Sequence, residues 1–277
     1  MNSNLALSTW SLHRRLGQSY TDTPNGRIGT PTWGPGSTTL LDVPREASEN
    51  GFAALEVCHF QFPSTEPAYI AQLKKAFDQA GVKFLSVLID DGDLTHPSAE
   101  ERKRSTDVIK FWIQIASDLG AERVRIIAGK QSPGENGTNM RIAAEAIKAL
   151  ATYASSKNVK IEIENWHELL DTPEAVLELL DLTDQAIGLK VDFGNWPTPR
   201  KYDDLPIIAP LATSTHAKAH FTDGKMDIDD FVRCCEICKS AGFSGPHALV
   251  FDTEGDEWAG ICAVRDILIP YLGSSAV

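Results

Sequence analysis

This 277-residue sequence lacks several things, and each absence removes a class of function. Positive charge is not in excess: 26 Lys and Arg face 38 Asp and Glu, a formal net charge of −12. A protein that grips nucleic acid by its phosphates needs a basic footprint, so such a partner is not expected. No apolar run approaches the roughly 20 residues of a membrane span, and no membrane partner is expected. The start, MNSNLALSTW, has neither the basic beginning nor the long apolar core of a secretion signal. The five cysteines (Cys58, Cys234, Cys235, Cys238, Cys262) are odd in number. With no secretion signal, they are expected to be free thiols in a reducing cytoplasm. Cys234-Cys235-x-x-Cys238 lies in the helical stretch DDFVRCCEICKSAG with no second Cys/His pair at suitable spacing, which favours buried helix thiols over a closed zinc site. Gly34-Pro35-Gly36 lacks the third glycine and helix of a dinucleotide fingerprint. Neither a P-loop, a linker nor a low-complexity tract is present.

What is present is a regular alternation. Apolar, β-rich runs at about 4–10, 53–58, 83–90, 123–128, 159–164, 187–192, 213–220 and 247–252 alternate with helical patterns. The helical patterns cover about 41–50, 66–80, 98–119, 139–156, 172–183, 202–211, 227–241 and 257–271. Such alternation implies parallel strands joined by right-handed crossovers. RVRII, FLSVLI and ALVF are continuous apolar runs of the kind that helices cover on the outside. The expected fold is α/β: a single (β/α)8 TIM barrel domain over 1–277, with a long loop after the first strand. Helix punctuation agrees. Ser98 with Glu101 forms a capping box, Pro173 sits in a first turn, and Gly51, Gly81, Gly120 and Gly242 close helices. The loop from about Leu12 to Thr39 is rich in Gly, Pro and Thr. At a barrel mouth it reads as a lid or substrate wall, with packing or an oligomer contact as the alternative.

Four successive strands end in residues able to hold a divalent metal: KIEIEN at Glu164, GLKVDFGN at Asp192, STHAKAH at His216 and HALVFDTEG at Asp252. In a parallel barrel the C-terminal strand ends converge on one mouth, so residues far apart in sequence can surround one ion. Three carboxylates and an imidazole suit Mn²⁺, Mg²⁺, Co²⁺ or Zn²⁺. Singly, each has a plainer reading. Glu164 could cap a helix, Asp192 a turn, and His216 could be a satisfied strand histidine; the joint pattern carries the metal site.

These residues resemble the xylose-isomerase-like barrel superfamily, the sugar phosphate isomerase/epimerase group. Its fifth-strand Glu-Asn followed by His stands here as Glu164-Asn165, with Trp166 inserted before His167. Its sixth-strand Asp-x-Gly-Asn is matched by Asp192-Phe193-Gly194-Asn195. Its seventh-strand His-x-Lys-Asp appears as His216-Ala217-Lys218, with Ala219 in place of the acid. Its eighth-strand ligand glutamate aligns with Asp252, and Glu254 is the competing fourth ligand.

The resemblance implies one divalent ion, with Mn favoured, held by Glu164, Asp192, His216 and Asp252. It implies a sugar isomerase or epimerase that acts on a ketose or related polyol carbonyl through an enediolate. The catalytic candidates are Glu164, His167 and Asp252; in ketose epimerases of this group the two ligand glutamates also shuttle the proton. Substrate-binding candidates are Trp10, His13, Glu56, Trp196, Lys218 and His220, each also readable as packing or ion pairing. The partner implied is a small carbohydrate, and a homo-oligomer is compatible with the resemblance. The alternative is a metal-dependent lyase or dehydratase acting by β-elimination on a 3-oxo-glycoside or keto-polyol, suggested by Asp252, the altered Glu-Asn-Trp-His and the Trp-rich mouth. A DNA-repair endonuclease of the superfamily would need more histidines than the seven present. A non-catalytic barrel would not need all four metal-capable positions.

Overall fold

The computed structural model describes residues 2–23 and 26–273. Eight parallel strands form a closed barrel: β1 (Leu5–Ser8), β2 (Ala54–Cys58), β3 (Lys83–Ile89), β4 (Arg123–Ile126), β5 (Lys160–Glu164), β6 (Gly188–Asp192), β7 (Ala212–Lys218) and β8 (His247–Val250). Each pairs with its neighbour in sequence, and β8 closes on β1 through Leu5–His247, Ala6–Ala248 and Leu7–Leu249. The strands alternate with helices α1 (Val43–Glu49), α2 (Pro67–Ala80), α3 (Ala99–Leu119), α4 (Thr138–Ser156), α5 (Pro173–Leu182), α6 (Lys201–Ile208), α7 (Ile228–Ser240) and α8 (Glu257–Leu268). The expected (β/α)8 TIM barrel is the fold observed.

The helix boundaries follow local chemistry. Ser98 accepts a hydrogen bond from the Glu101 N–H at the start of α3, and Thr172 accepts one from Ala175 at the start of α5. Gly81 and Gly120 close α2 and α3 in the left-handed conformation, where a Cβ would be strained. Cys234, Cys235 and Cys238 are buried on α7, and burial raises all three thiols above their usual range.

Successive residues of a strand face opposite sides. Outward residues such as Leu7, Leu55, Val57, Val124, Ile161, Ile163, Leu189 and Val191 join the helices in the main core. Inward residues divide the barrel interior into two arcs. On one, Ala6, Ala54, Leu85 and Ala248 pack as a small apolar cluster. On the other, Glu56, Glu162, Lys190 and Ser214 are fully or almost fully buried and bonded to one another. Removing one member of such a buried ionic set costs about 3–5 kcal/mol, because its partner keeps its charge without compensation.

Several boundaries differ from the sequence expectation; the eighth strand stops at Val250, so Asp252 lies two residues beyond it. The first strand stops at Ser8, and Thr9–Leu12 turns into a 3-10 helix. Ser11 Oγ holds this turn against β8, accepting from Phe251 N at 2.9 Å. The seventh strand stops at Lys218, so His220 lies beyond it; its carbonyl accepts from Asp227 N at 2.9 Å, beside a small hairpin of Phe221–Thr222 and Lys225–Met226. The segment after β1 is not structureless. Ser19–Thr23 and Gly26–Thr30 pair as an antiparallel hairpin, whose connecting residues Pro24 and Asn25 lie outside the described residues. Arg27 pins it down, donating to the carbonyls of His59 at 2.8 Å and Phe62 at 2.7 Å, with its guanidinium 5.0 Å from the Trp112 ring centroid.

Candidate active site

The C-terminal strand ends surround an open cavity of about 180 Å³. A larger hollow of about 560 Å³ lies at the opposite end, among the strand starts Lys160, Gly188 and Ala212. Ligands of this architecture bind at the C-terminal face, and the polar chemistry gathers there.

Glu164, Asp192 and His216 form the centre. One donor atom from each lies within 4.8 Å of the other two, and all three residues are buried. His216 Nδ1 is 3.4 Å from Glu164 Oε1 and 3.5 Å from Asp192 Oδ2. Burial alone would lower the His216 pKa, but the Glu164 charge together with hydrogen bonds to Asp192 and Glu164 more than offsets it and carries the imidazole up to about 10. Burial would likewise raise the Glu164 carboxyl; His216 and Arg125 reverse that and hold it well below the usual carboxylate range. Two carboxylates and one imidazole this close suit a divalent cation. Glu164 Oε2 is also buried; it faces the Arg125 guanidinium, with Nε 3.0 Å away, without an aligned hydrogen bond.

The motif residues around the cluster have separate tasks. Asn165 bridges β5 and β6: its Oδ1 accepts from Asp192 N at 2.7 Å and its Nδ2 donates to Asp192 O at 3.2 Å. Asp192 Oδ1 accepts from Gly194 N at 2.6 Å, tightening the turn. A Cβ on Gly194 would sit 2.9 Å from Lys218 Cδ, so the glycine lets that side chain pass. Asn195 Nδ2 donates to Glu164 Oε1 at 2.7 Å and fixes the carboxylate. Lys201 supports the turn from beneath, donating to Phe193 O at 2.9 Å while paired with Asp230.

The remaining sequence candidates are dispersed. Asp252 lines the cavity but stands outside the three-residue cluster; its carboxylate is 3.6 Å from Lys218 Nζ and about a third exposed. Trp10, Trp166 and Lys218 also line the cavity. Trp196 does not: it is buried, donating from Nε1 to Leu170 O at 3.1 Å. His13 is buried against Trp10 (ring centroids 4.8 Å apart), with Nδ1 2.7 Å from Trp10 O. His167 stacks on Trp166 at 4.1 Å outside the cavity lining, and burial lowers its pKa. His220 also stands outside the lining, its pKa lowered by burial. Glu56 is wholly buried beneath the cluster, not on the cavity wall.

Two site residues escape a reading of the sequence. Arg125, almost fully buried, places Nε 3.0 Å from Glu164 Oε2 and donates from Nη1 to Asp90 Oδ1 at 2.5 Å; its guanidinium lies 5.3 Å from the Trp166 ring centroid. Burial would lower its pKa, but Asp90 and Glu164 reverse this. Both Arg125 and Asp90 line the cavity. A signal for Arg125 does exist: in RVRI, charged residues alternate with aliphatic ones on a strand whose outer face is covered, so the charges must face the axis.

A family model described as a xylose isomerase-like TIM barrel matches residues 44–249. The chain resembles the solved structure of L-ribulose 3-epimerase at TM-score 0.72 and 14% identity, covering 97% of this chain and 94% of that one. It also resembles the probable 3-DHS dehydratase AsbF of Bacillus anthracis, involved in petrobactin synthesis, at TM-score 0.68 and 13% identity (96% and 98% covered). A third similar structure is 3-keto-D-glucoside 4-epimerase YcjR of E. coli, at TM-score 0.63 and 14% identity (84% and 94% covered). No curated protein matches the sequence.

Proposed function

The chain belongs to the xylose isomerase-like TIM barrel family, and on that premise we propose that it is a divalent-metal-dependent sugar isomerase or epimerase, one barrel domain acting on a ketose or related keto-polyol. The single observation that carries this reading is the buried triad of Glu164, Asp192 and His216 at the C-terminal mouth. These residues would hold the ion, of which Mn²⁺ is the favoured identity. A divalent ion held there supplies Lewis-acid polarisation of a substrate carbonyl.

The chain's own residues do the rest. Trp10 and Trp166 offer apolar walls to the faces of a sugar ring or chain. Lys218, with three donors at the rim, suits a substrate oxygen. The proton leaving the carbon beside the carbonyl needs a carboxylate within hydrogen-bond reach. Glu164 and Asp252 are the carboxylates we assign to that transfer, Glu164 oriented by Asn195 and Asp252 by Lys218. His167, stacked on Trp166 outside the cavity lining, is the further acid–base candidate.

Asp252 supports a second reading. Epimerisation through two bases needs a proton acceptor on each face of the carbon, and Asp252 is drawn to Lys218 at 3.6 Å. A single acceptor suffices for β-elimination, so a lyase or dehydratase acting on a 3-oxo-glycoside or keto-polyol is the alternative. One experiment tests both. The metal-free protein is loaded with Mn²⁺, Mg²⁺, Co²⁺ or Zn²⁺ and incubated with free ketoses and with 3-oxo-glycosides. New epimers or aldoses support the first reading, and released aglycone or dehydrated product the second. A protein that binds none of these ions defeats both.

A further inference from the structure

Glu56 lies in the middle of β2, points into the barrel and takes no part in the cavity wall. Its side chain is wholly buried beneath the triad, and both carboxylate oxygens are taken. Oε1 accepts from Lys190 Nζ at 2.6 Å. Oε2 meets His216 Nε2 at 2.9 Å. Lys190 is itself fully buried, donates to Ser214 Oγ at 2.7 Å and lies 3.7 Å from Glu162 Oε2. Glu162 is bonded to Arg123 at 2.6 Å and to Thr213 Oγ1 at 2.6 Å. A column of alternating charge thus stands under His216.

The direction of the hydrogen bonds in this column is forced. An ammonium only donates, so the Glu56 carboxylate is an acceptor at Oε1, and it remains an acceptor at Oε2. The proton shared with His216 therefore belongs to Nε2. The other ring nitrogen, Nδ1, is the one that faces Glu164 and Asp192. A metal ligand's second nitrogen fixes its tautomer and ring orientation through the bond it makes.

We propose that Glu56 is a positioning residue, held ionised and in place by Lys190, that takes the Nε2 proton of His216 and so reserves Nδ1 for a divalent cation. The inference rests on the metal reading above. It removes Glu56 from the substrate contacts, and it gives the ionic arc of the barrel interior a task beyond filling space.

The test is Glu56→Gln, which keeps the shape. With Lys190 holding the amide oxygen, the amide nitrogen faces His216 and can only donate. Nε2 then loses its acceptor, and the proton the ring retains is held on Nδ1, the nitrogen that faces Glu164 and Asp192. Three readouts are taken: Co²⁺ affinity by chelator competition, the visible spectrum of the Co²⁺ complex, and the ¹⁵N-coupled Nε2–H proton signal of His216. The wild-type protein is expected to show a low-field Nε2–H signal and to bind Co²⁺. E56Q is expected to lose that signal, to bind Co²⁺ about 10- to 100-fold more weakly, and to give an altered spectrum. Glu56→Asp serves as a second variant and is expected to regain part of the affinity, since it restores an acceptor. If E56Q lowers only the melting temperature of the metal-free protein, with Co²⁺ affinity and spectrum unchanged, Glu56 is structural and the proposal fails. If E56Q does not fold, absence of the Nε2–H signal in wild-type protein overturns the proposal and its presence supports it. A wild-type protein that binds no Co²⁺ overturns the metal reading and takes this inference with it, an outcome distinct from the others.

Discussion

Arg125 sits between two carboxylates, with Nε 3.0 Å from Glu164 Oε2 and Nη1 2.5 Å from Asp90 Oδ1. It brings to the centre of the site a permanent positive charge that a cation bound by Glu164 would sit beside. Arg125→Met is expected to destabilise the metal-free protein by about 3 kcal/mol, since two buried or half-buried carboxylates lose their partner. Saturating Co²⁺ is expected to restore more stability to the variant than to the wild type, because the ion supplies charge beside Glu164. Urea unfolding with and without Co²⁺ measures both. Equal metal-induced stabilisation in the two proteins would mean that guanidinium and ion do not share Glu164.

Asp192 and Asp252 separate ligand from rim. Asp192→Asn is expected to weaken divalent-ion binding at least 100-fold, because it removes one of three converging donors and loosens the Gly194 turn. Asp252→Asn is expected to leave affinity within about threefold while lowering kcat at least tenfold, as the loss of a proton acceptor does. Affinity measured by chelator competition and turnover on the active sugar decide. A large affinity loss in D252N would place Asp252 among the ligands.

The tryptophans divide in the same way. Trp166 lines the cavity, whereas Trp196 is bonded to Leu170 O in the core. Trp166→Ala is expected to raise KM about tenfold with a smaller change in kcat, the mark of lost uniform binding. Trp196→Phe is expected to cost about 1 kcal/mol of stability, one hydrogen bond, with KM unchanged. Steady-state kinetics paired with thermal unfolding distinguish them; a KM effect in W196F would move that residue into the site.

His247 governs part of the acid stability. It is buried on β8 with Nδ1 2.8 Å from Thr215 Oγ1, and burial depresses its pKa to about 4. The unfolded chain takes up this proton near pH 6.5, so between about pH 6.5 and 4 the unfolded state binds more protons and stability falls as pH falls. The depression corresponds to roughly 3 kcal/mol across that window. His59, His167 and His220 are lowered in the same direction, so the comparison is with His247→Gln. That variant is expected to show a shallower loss of stability from pH 7 to 4.5 in urea titrations. Glu56, held at about 2 because Lys190 and His216 more than offset the effect of its burial, adds its own loss only below about pH 4.5. An unchanged slope in H247Q would show that the ring is already charged in the native state.

Much of this molecule is legible in its residues. The alternation of apolar runs with helical patterns reveals all eight barrel strands, because each inward or outward choice repeats with a period that the side chains themselves show. Glu164, Asp192 and His216 are legible because a polar residue closing an aliphatic strand has to be solvated, paired or bound to a cation. The ion pairs that Glu56, Lys190 and Arg125 make are not. The alternation in GLKVD and RVRI turns these charges towards the axis, but only the closed barrel brings Lys190 to Glu56 on a distant strand and Arg125 to Asp90 and Glu164. The end of β1 is overread for a related reason: the bond between Ser11 and β8 that bends Thr9–Leu12 into a turn joins residues almost a chain length apart. His220, two residues beyond the strand, fits the same period-2 pattern although the chain has already turned away.

The two arcs of the barrel interior bear on how such a protein can change over time. Ala6, Ala54 and Ala248 are limited by volume alone and can be exchanged one at a time for residues of similar size. Glu56, Lys190, Glu162 and Arg123 are bound by charge, so an isolated replacement strands a counterion inside the protein. In a set of descendants of this barrel, the first arc should drift position by position, and the second should be kept whole or replaced in matched pairs.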